Sequence, residues 1–113
     1  MSLYTDTATL GAATTAYTAT NEVANSGNYT AGGQAVVFTA PSATGTTAFT
    51  TPNASVSFTT FTAASFSAAL LYNSTQSNKS VSVHTFGVQS ITAGTFTLTM
   101  PTNAAGTALI NLA

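Results

Sequence analysis

In the run Thr95-Phe96-Thr97-Leu98-Thr99-Met100, polar and apolar residues alternate one for one. An extended strand, whose successive side chains point to opposite faces, places Phe96, Leu98 and Met100 on one side and the three threonines on the other. The same period-two pattern recurs between clusters of Gly, Asn, Pro and Ser, the residues that punctuate turns. No segment keeps a 3.6-residue apolar period with helix caps, and residues 11–16 are expected to form one short turn at most. The alternation predicts an all-β chain.

The strands can be placed along the sequence. Residues 101–106 supply a turn after Met100, and Thr107-Ala108-Leu109-Ile110-Asn111-Leu112 returns from it, which predicts a C-terminal hairpin. A second pair is expected from Ser65-Phe66-Ser67-Ala68-Ala69-Leu70-Leu71-Tyr72, through a polar loop at 73–79, to Val81-Ser82-Val83-His84-Thr85-Phe86. The near-continuous apolar stretch in its first arm suits a central strand covered on both faces, or one contacting another subunit. Val56, Phe58 and Thr60 alternate with Ser57, Thr59 and Phe61, and Ala35-Val36-Val37-Phe38 gives a further strand, with Pro41 and Pro52 in flanking turns. Residues 3–10 read as a strand, and 16–23 as a strand or an extended arm. The sum is about eight strands, and the fold expected is a single-domain antiparallel β-sandwich over residues 1–113 with jelly-roll or Greek-key connections, residues 1–33 being partly an extended arm.

Charge narrows the function. Only 3% of the 113 residues are charged, and Asp6, Glu22, Lys79 and the single His84 are the side chains able to carry charge near neutral pH. Nucleic-acid binding by phosphate neutralisation needs a cluster of Lys and Arg that this chain lacks, so no nucleic-acid partner is expected. With no cysteine, neither disulfides nor thiolate metal sites hold the fold. The first residues show neither the basic segment nor the apolar segment of a signal peptide, and no apolar run approaches the ~20 residues of a membrane helix. The expectation is a chain made in the cytoplasm with no membrane partner.

A hydrolytic triad would have to use His84 with Asp6 or Glu22 and a serine, and no G-x-S-x-G stretch supports it. A strand histidine hydrogen-bonded to a neighbour is the simpler reading. Asp6, Glu22 and His84 are too scattered to suggest a metal site, and Gly32-Gly33, with no Lys-Ser/Thr after it, reads as a turn and not a phosphate loop. No catalytic, cofactor or metal residue is expected. The Asn-x-Ser/Thr triplets at Asn28, Asn53, Asn73 and Asn78 follow from a composition rich in Ser and Thr and read as polar loops. Thr-x-Thr arrays at Thr5, Thr7 and Thr9, at Thr18 and Thr20, and at Thr95, Thr97 and Thr99 lack the regular repeat of an ice-binding face and read as solvent-facing strand residues.

Several segments, in order, are similar to a known class: Leu3-Tyr4-Thr5, Ala8-Thr9-Leu10-Gly11-Ala12, Thr20-Asn21-Glu22-Val23, Tyr29-Thr30-Ala31-Gly32-Gly33, the stretch Phe66 to Asn73, Ser77-Asn78-Lys79, Phe86-Gly87, Ala93-Gly94-Thr95-Phe96 and the closing Ala108-Leu109-Ile110-Asn111-Leu112-Ala113. Together they resemble small Thr- and Ala-rich structural proteins of tailed bacteriophages, over nearly the whole chain. The family pattern would place an acidic residue just before Phe-Gly and a basic one in the final strand; Thr85 and Asn111 stand there instead, so no salt bridge between those positions is expected. The resemblance implies a virion component, in first place a capsid decoration or cement protein that binds the major capsid protein or other virion proteins in many symmetric copies. A neck, tail or fibre-associated protein is the alternative within the virion, and a carbohydrate-binding or adhesion module the alternative outside it. Tyr4, Tyr17, Tyr29, Tyr72, Phe49, Phe61 and Phe66 are the candidate interface anchors, since aromatic residues are favoured at interface centres, and the same residues equally suit a core.

Overall fold

A computed structural model describes residues 1–112. The chain is all-β, with two antiparallel three-stranded sheets and no helix among the described residues. Six strands form: β1 (Ser2–Thr5), β2 (Ser42–Thr44), β3 (Thr47–Thr50), β4 (Val56–Asn73), β5 (Lys79–Leu98) and β6 (Ile110–Leu112). The strand order is β1-β4-β5 in one sheet and β2-β3-β6 in the other. The chain groups into two compact units, Met1–Gln34 with Phe58–Phe96, and Ala35–Ser57 with Thr97–Ala113.

Six strands stand where about eight were expected, because β4 and β5 each absorb what reads in sequence as two. In β4 the buried positions run Val56, Phe58, then Phe61, then Phe66, Ala68 and Leu70. A strict period of two breaks twice, and at each break a residue takes a left-handed backbone: Thr60 at φ 51° and Ser65 at φ 50°. Each acts as a one-residue bulge, which switches the parity of every later side chain without ending the strand. Ala93, at φ 48°, does the same in β5. A non-glycine residue gives up about 1–2 kcal/mol to adopt this conformation. Ala93→Gly is therefore expected to leave stability unchanged or raise it by up to about 1 kcal/mol, and Ala93→Val to lower it by more than ~1 kcal/mol, both read from urea denaturation midpoints.

The first unit is built around β4. Ala68, Ala69, Leu70 and Leu71 are all buried, as a central strand covered on both faces requires. On one side β1 pairs with it, Ser2 opposite Leu70 and Tyr4 opposite Ala68. On the other side β5 follows through the loop 74–78, where the Asn73 side-chain oxygen accepts hydrogen bonds from the Thr75 N–H at 3.0 Å and hydroxyl at 2.7 Å. Aromatic rings fill the interior in a continuous chain: Tyr29 on Phe58 at 5.0 Å, Phe58 on Phe61 at 5.8 Å, Phe61 on Phe66 at 5.6 Å, and Phe66 on Phe96 at 4.8 Å. Phe86 and Phe96 approach to 5.6 Å. Ten residues of straight strand would separate them by about 33 Å, so β5 doubles back between them to bring both rings onto Phe66.

Residues 1–33, read from the sequence as partly an extended arm, belong to this unit, with Met1, Leu3, Tyr4, Val23 and Tyr29 buried in it. The strand expected over 3–10 ends at Thr5, where a turn closes through the Ala8 N–H to the Thr5 carbonyl at 3.0 Å. Residues 16–23 form no strand, and touch the sheet through the isolated bridges Ala16 to Lys79 and Tyr4 to Glu22. The expected turn near 11–16 is present, closed by the Thr14 N–H to the Gly11 carbonyl at 3.0 Å.

In the second unit, β2 and β3 form a tight hairpin through Gly45 at φ 60°, which the sequence reading passed over. The C-terminal hairpin is corrected: β6 pairs with β3, Thr50 opposite Ile110 and Ala48 opposite Leu112. Buried Thr51 fixes this choice, since its hydroxyl accepts the Leu109 N–H at 2.8 Å. Asn111 ties the preceding turn by accepting from the Gly106 N–H at 2.9 Å and donating to the Ala108 carbonyl at 2.6 Å. The strand expected at 35–38 is absent as a strand: Val37 is 64% exposed, and only a bridge from Phe38 to Pro52 forms.

Candidate functional site

The most concentrated polar chemistry lies in the first unit, around the chain's single glutamate. Glu22 is half-buried, and both its oxygens are occupied. Tyr17 donates its hydroxyl to Oε2 at 2.6 Å, Tyr29 donates to Oε1 at 2.7 Å, and the Gly32 N–H donates to Oε1 at 2.6 Å. Distances this short are typical of hydrogen bonds to an ionised acceptor. Tyr29 is itself held by the Leu3 N–H at 2.9 Å, and Tyr72 donates to the Gly32 carbonyl at 2.7 Å, so the backbone N–H and carbonyl of one glycine serve two side chains. Tyr4 donates to the Thr18 carbonyl at 2.7 Å, and the rings of Tyr17 and Tyr72 lie 4.8 Å apart.

The backbone makes room for this cluster at Gly32-Gly33. Gly33 adopts φ 78°, and a Cβ there would overlap the Met1 carbonyl, so the tight turn brings residues 32–34 against the first strand only with glycine in place. The Gln34 N–H then donates to the Met1 carbonyl at 3.0 Å. Glu22 thus ties together β1, the 17–22 segment and the 29–34 turn, none of which is held by a long strand of its own.

Electrostatics keep the tyrosines protonated. The hydrogen bond to Glu22 holds the Tyr17 phenol far above its usual range, with burial adding to it; burial does the same for Tyr29, helped by Glu22 and opposed by the hydrogen bond from the Leu3 backbone. Burial also raises Tyr4 and Tyr72. A phenol whose folded pKa exceeds its unfolded value of about 10 keeps its proton in the native state while the unfolded chain releases one. Stability from this source is fully present below pH ~10 and is lost as pH rises above it. Tyrosinate absorbance is expected to appear together with the loss of the folded circular-dichroism signal above pH ~10, and a plain titration of the folded chain near pH 10 would contradict it.

His84 sits half-buried on β5, where burial lowers its pKa, and its Nε2 is 2.8 Å from the Ser82 hydroxyl two residues earlier on the same strand face. With both Glu22 oxygens engaged by Tyr17, Tyr29 and Gly32, that carboxylate is committed to the clasp and not to orienting an imidazole. Among the described residues no group of three His, Cys, Asp or Glu could hold a metal ion. A groove of about 430 Å³ runs between the 10–14 turn and the start of β5, lined by Leu10, Gly11, Thr14, Ser82, Val83 and Thr85 among others, with no charged side chain in it.

Of the seven aromatic residues picked out as interface anchors, Tyr4, Tyr29, Phe61, Phe66 and Phe49 lie inside their units, at 8% exposure or less. Tyr29, Phe61 and Phe66 pack in the aromatic chain and Tyr4 and Tyr29 bond within the Glu22 cluster, while Phe49 is buried in the second unit without a ring partner. Tyr17 and Tyr72 remain half-exposed. Of the threonine arrays, Thr95 and Thr97 lie along β5 and Thr5 ends β1, where its hydroxyl and that of Thr7 in the following turn bond each other at 2.9 Å.

Neither a family model, nor a curated protein, nor a solved structure matches the chain.

Proposed function

We propose that this chain is a structural protein of a tailed-phage virion, a capsid decoration or cement subunit that attaches to the major capsid protein in many copies and catalyses nothing. The observation that carries the reading is the commitment of the one glutamate to an internal clasp. It leaves Asp6, Lys79 and His84 as the remaining ionisable side chains apart from the tyrosines, on a surface otherwise of Thr, Ser, Asn, Ala and scattered apolar residues. Such a surface binds by shape, apolar area and neutral hydrogen bonds, and a net charge of −1 lets many copies crowd together without mutual repulsion. The resemblance to phage structural proteins supplies the setting: synthesis in the host cytoplasm and residence in the virion. A β-sandwich with jelly-roll or Greek-key connections is the finer form of the fold within this reading.

A carbohydrate-binding module is less well supported, because sugar stacking wants exposed rings, and the half-exposed pair Tyr17 and Tyr72 stack on each other. Co-sedimentation with capsid shells provides the test. Binding is expected to persist as salt rises to about 1 M, where the Debye length falls to about 3 Å, since few ion pairs exist to be screened. Release of the protein by moderate salt would count against this mode of attachment.

A further inference from the structure

All four tyrosines gather around Glu22, and two of them are open to solvent. Tyr4 and Tyr29 are buried, whereas Tyr17 and Tyr72 are half-exposed and lie ring against ring, with centroids 4.8 Å apart and planes inclined by 32°. Both rings are anchored by their hydroxyls on the same small cluster. Tyr17 donates to Glu22 Oε2 at 2.6 Å, Tyr72 donates to the Gly32 carbonyl at 2.7 Å, and the Gly32 N–H donates to the other oxygen of that carboxylate at 2.6 Å. A modest swing of these half-exposed side chains brings together the ring carbons that flank the two hydroxyls.

Composition and geometry both direct one-electron oxidation to this pair. The chain has no Cys and no Trp, the side chains that compete with tyrosine for such chemistry. Loss of an electron makes a phenol strongly acidic, so oxidation is easiest where a base already holds the phenol hydrogen. Tyr17 meets that condition, with a carboxylate oxygen 2.6 Å away to accept its proton as the electron leaves. Tyr29 shares the same carboxylate, but its ring neighbours are Phe58 at 5.0 Å and Phe61 at 5.8 Å, so a radical there has no second phenol against it. Among the ring pairs of the described residues, Tyr17 with Tyr72 is the one made of two phenols.

We propose that Tyr17 and Tyr72 form an oxidative cross-linking site, joined carbon to carbon as an intramolecular dityrosine by a one-electron oxidant such as a peroxide-activated haem or a photoexcited metal complex. Each phenol gives up one electron and one proton, and the electrons reduce two equivalents of oxidant. The Tyr17 proton passes to Glu22 Oε2 and on to solvent, and the Tyr72 proton goes directly to water. The two radicals join through a Cε carbon of each ring; the hydrogens on those carbons then move to the oxygens and restore both phenols, so the chain loses two hydrogens in all. The new bond fastens the 17–22 segment, which has no strand of its own, to the end of β4, and it restricts the unfolded chain as a disulfide would in a protein that has no cysteine. The inference goes beyond the capsid-attachment reading and does not depend on it.

The test is photo-oxidation of the dilute full-length chain by a ruthenium bipyridyl complex with persulfate, followed by gel electrophoresis, dityrosine fluorescence and peptide mapping by mass spectrometry. The folded chain is expected to keep the size of a single chain, to lose two hydrogens, and to yield a cross-linked fragment that joins Tyr17 to Tyr72. In urea the same chain is expected to give about 10-fold less of that fragment, because the rings are no longer held together. Tyr17→Phe and Tyr72→Phe, each checked by circular dichroism, are expected to abolish it, and the map of the folded wild-type chain decides the matter should either variant misfold. The cross-linked chain is expected to unfold at a higher urea concentration than before oxidation. No intramolecular product, a fragment joining other tyrosines, coupling between chains alone, or an equal yield in urea overturns the inference, and an unchanged urea midpoint overturns the stapling role of the bond.

Discussion

Glu22→Ala is expected to lower the unfolding free energy by about 3 kcal/mol, the largest effect of any polar substitution in the chain. Hydrogen bonds to a charged group contribute about 1.5–3 kcal/mol each, and partial exposure of Glu22 discounts their sum. The substitution leaves the hydroxyls of Tyr17 and Tyr29 and the Gly32 N–H without their acceptor. A domain of this size holds only about 5–15 kcal/mol in total. Glu22→Gln is expected to cost less, about 1–2 kcal/mol, because one amide oxygen can still accept from Tyr29 and Gly32 while the amide nitrogen cannot accept from Tyr17. Equilibrium denaturation followed by tyrosine fluorescence provides the measurement. Equal stability of Glu22→Ala and wild type would show that the 17–34 region is held by packing alone.

Phe66→Ala is expected to cost about 3–5 kcal/mol, at the upper end for core truncations. Phe66 is fully buried and meets Phe61, Phe86 and Phe96 edge-on, at 5.6, 6.0 and 4.8 Å. It is the ring on which the two arms of the doubled-back β5 converge, so its loss removes both packing area and the reason for the bend. Phe66→Leu, which retains most of the volume but not the edge-to-face geometry, should fall between the two. The contrast with Phe49→Ala, in the second unit and with no ring partner among the aromatic pairs above, separates the worth of the aromatic chain from that of simple burial.

The alternation in Thr95 to Met100 and the apolar run from Phe66 to Tyr72 made the class and the central hairpin legible in the sequence, because a period of two has few other solutions. The bulges were not legible. Thr60, Ser65 and Ala93 carry none of the glycine signal that usually marks a left-handed residue, so one strand of 18 residues read as two. The partner of the last strand was misassigned for a related reason: nearness in sequence favours a hairpin with residues 95–100, whereas the buried Thr51 hydroxyl, 58 positions away, decides for β3. Aromatic residues carry no mark that separates core from interface, and five of the seven candidates went to the interior. The Glu22 cluster had one sequence signal that went unused: a lone acid in a chain with almost no charge, flanked by Tyr17, Tyr29 and a Gly-Gly turn, has few ways to justify its place except by neutral donors.

Scarcity of charge therefore has two consequences. Inside, it makes one carboxylate the organising acceptor for the first 34 residues; outside, it leaves a surface whose polar groups are almost all neutral. Density from intact virions, with the copy number of this chain, tests the structural-protein reading most directly. The chain is expected at a repeated, symmetric position on the particle, in many copies, and retained through high-salt washing. Its absence from purified virions, or its presence there in trace amounts without a symmetric site, would contradict that reading.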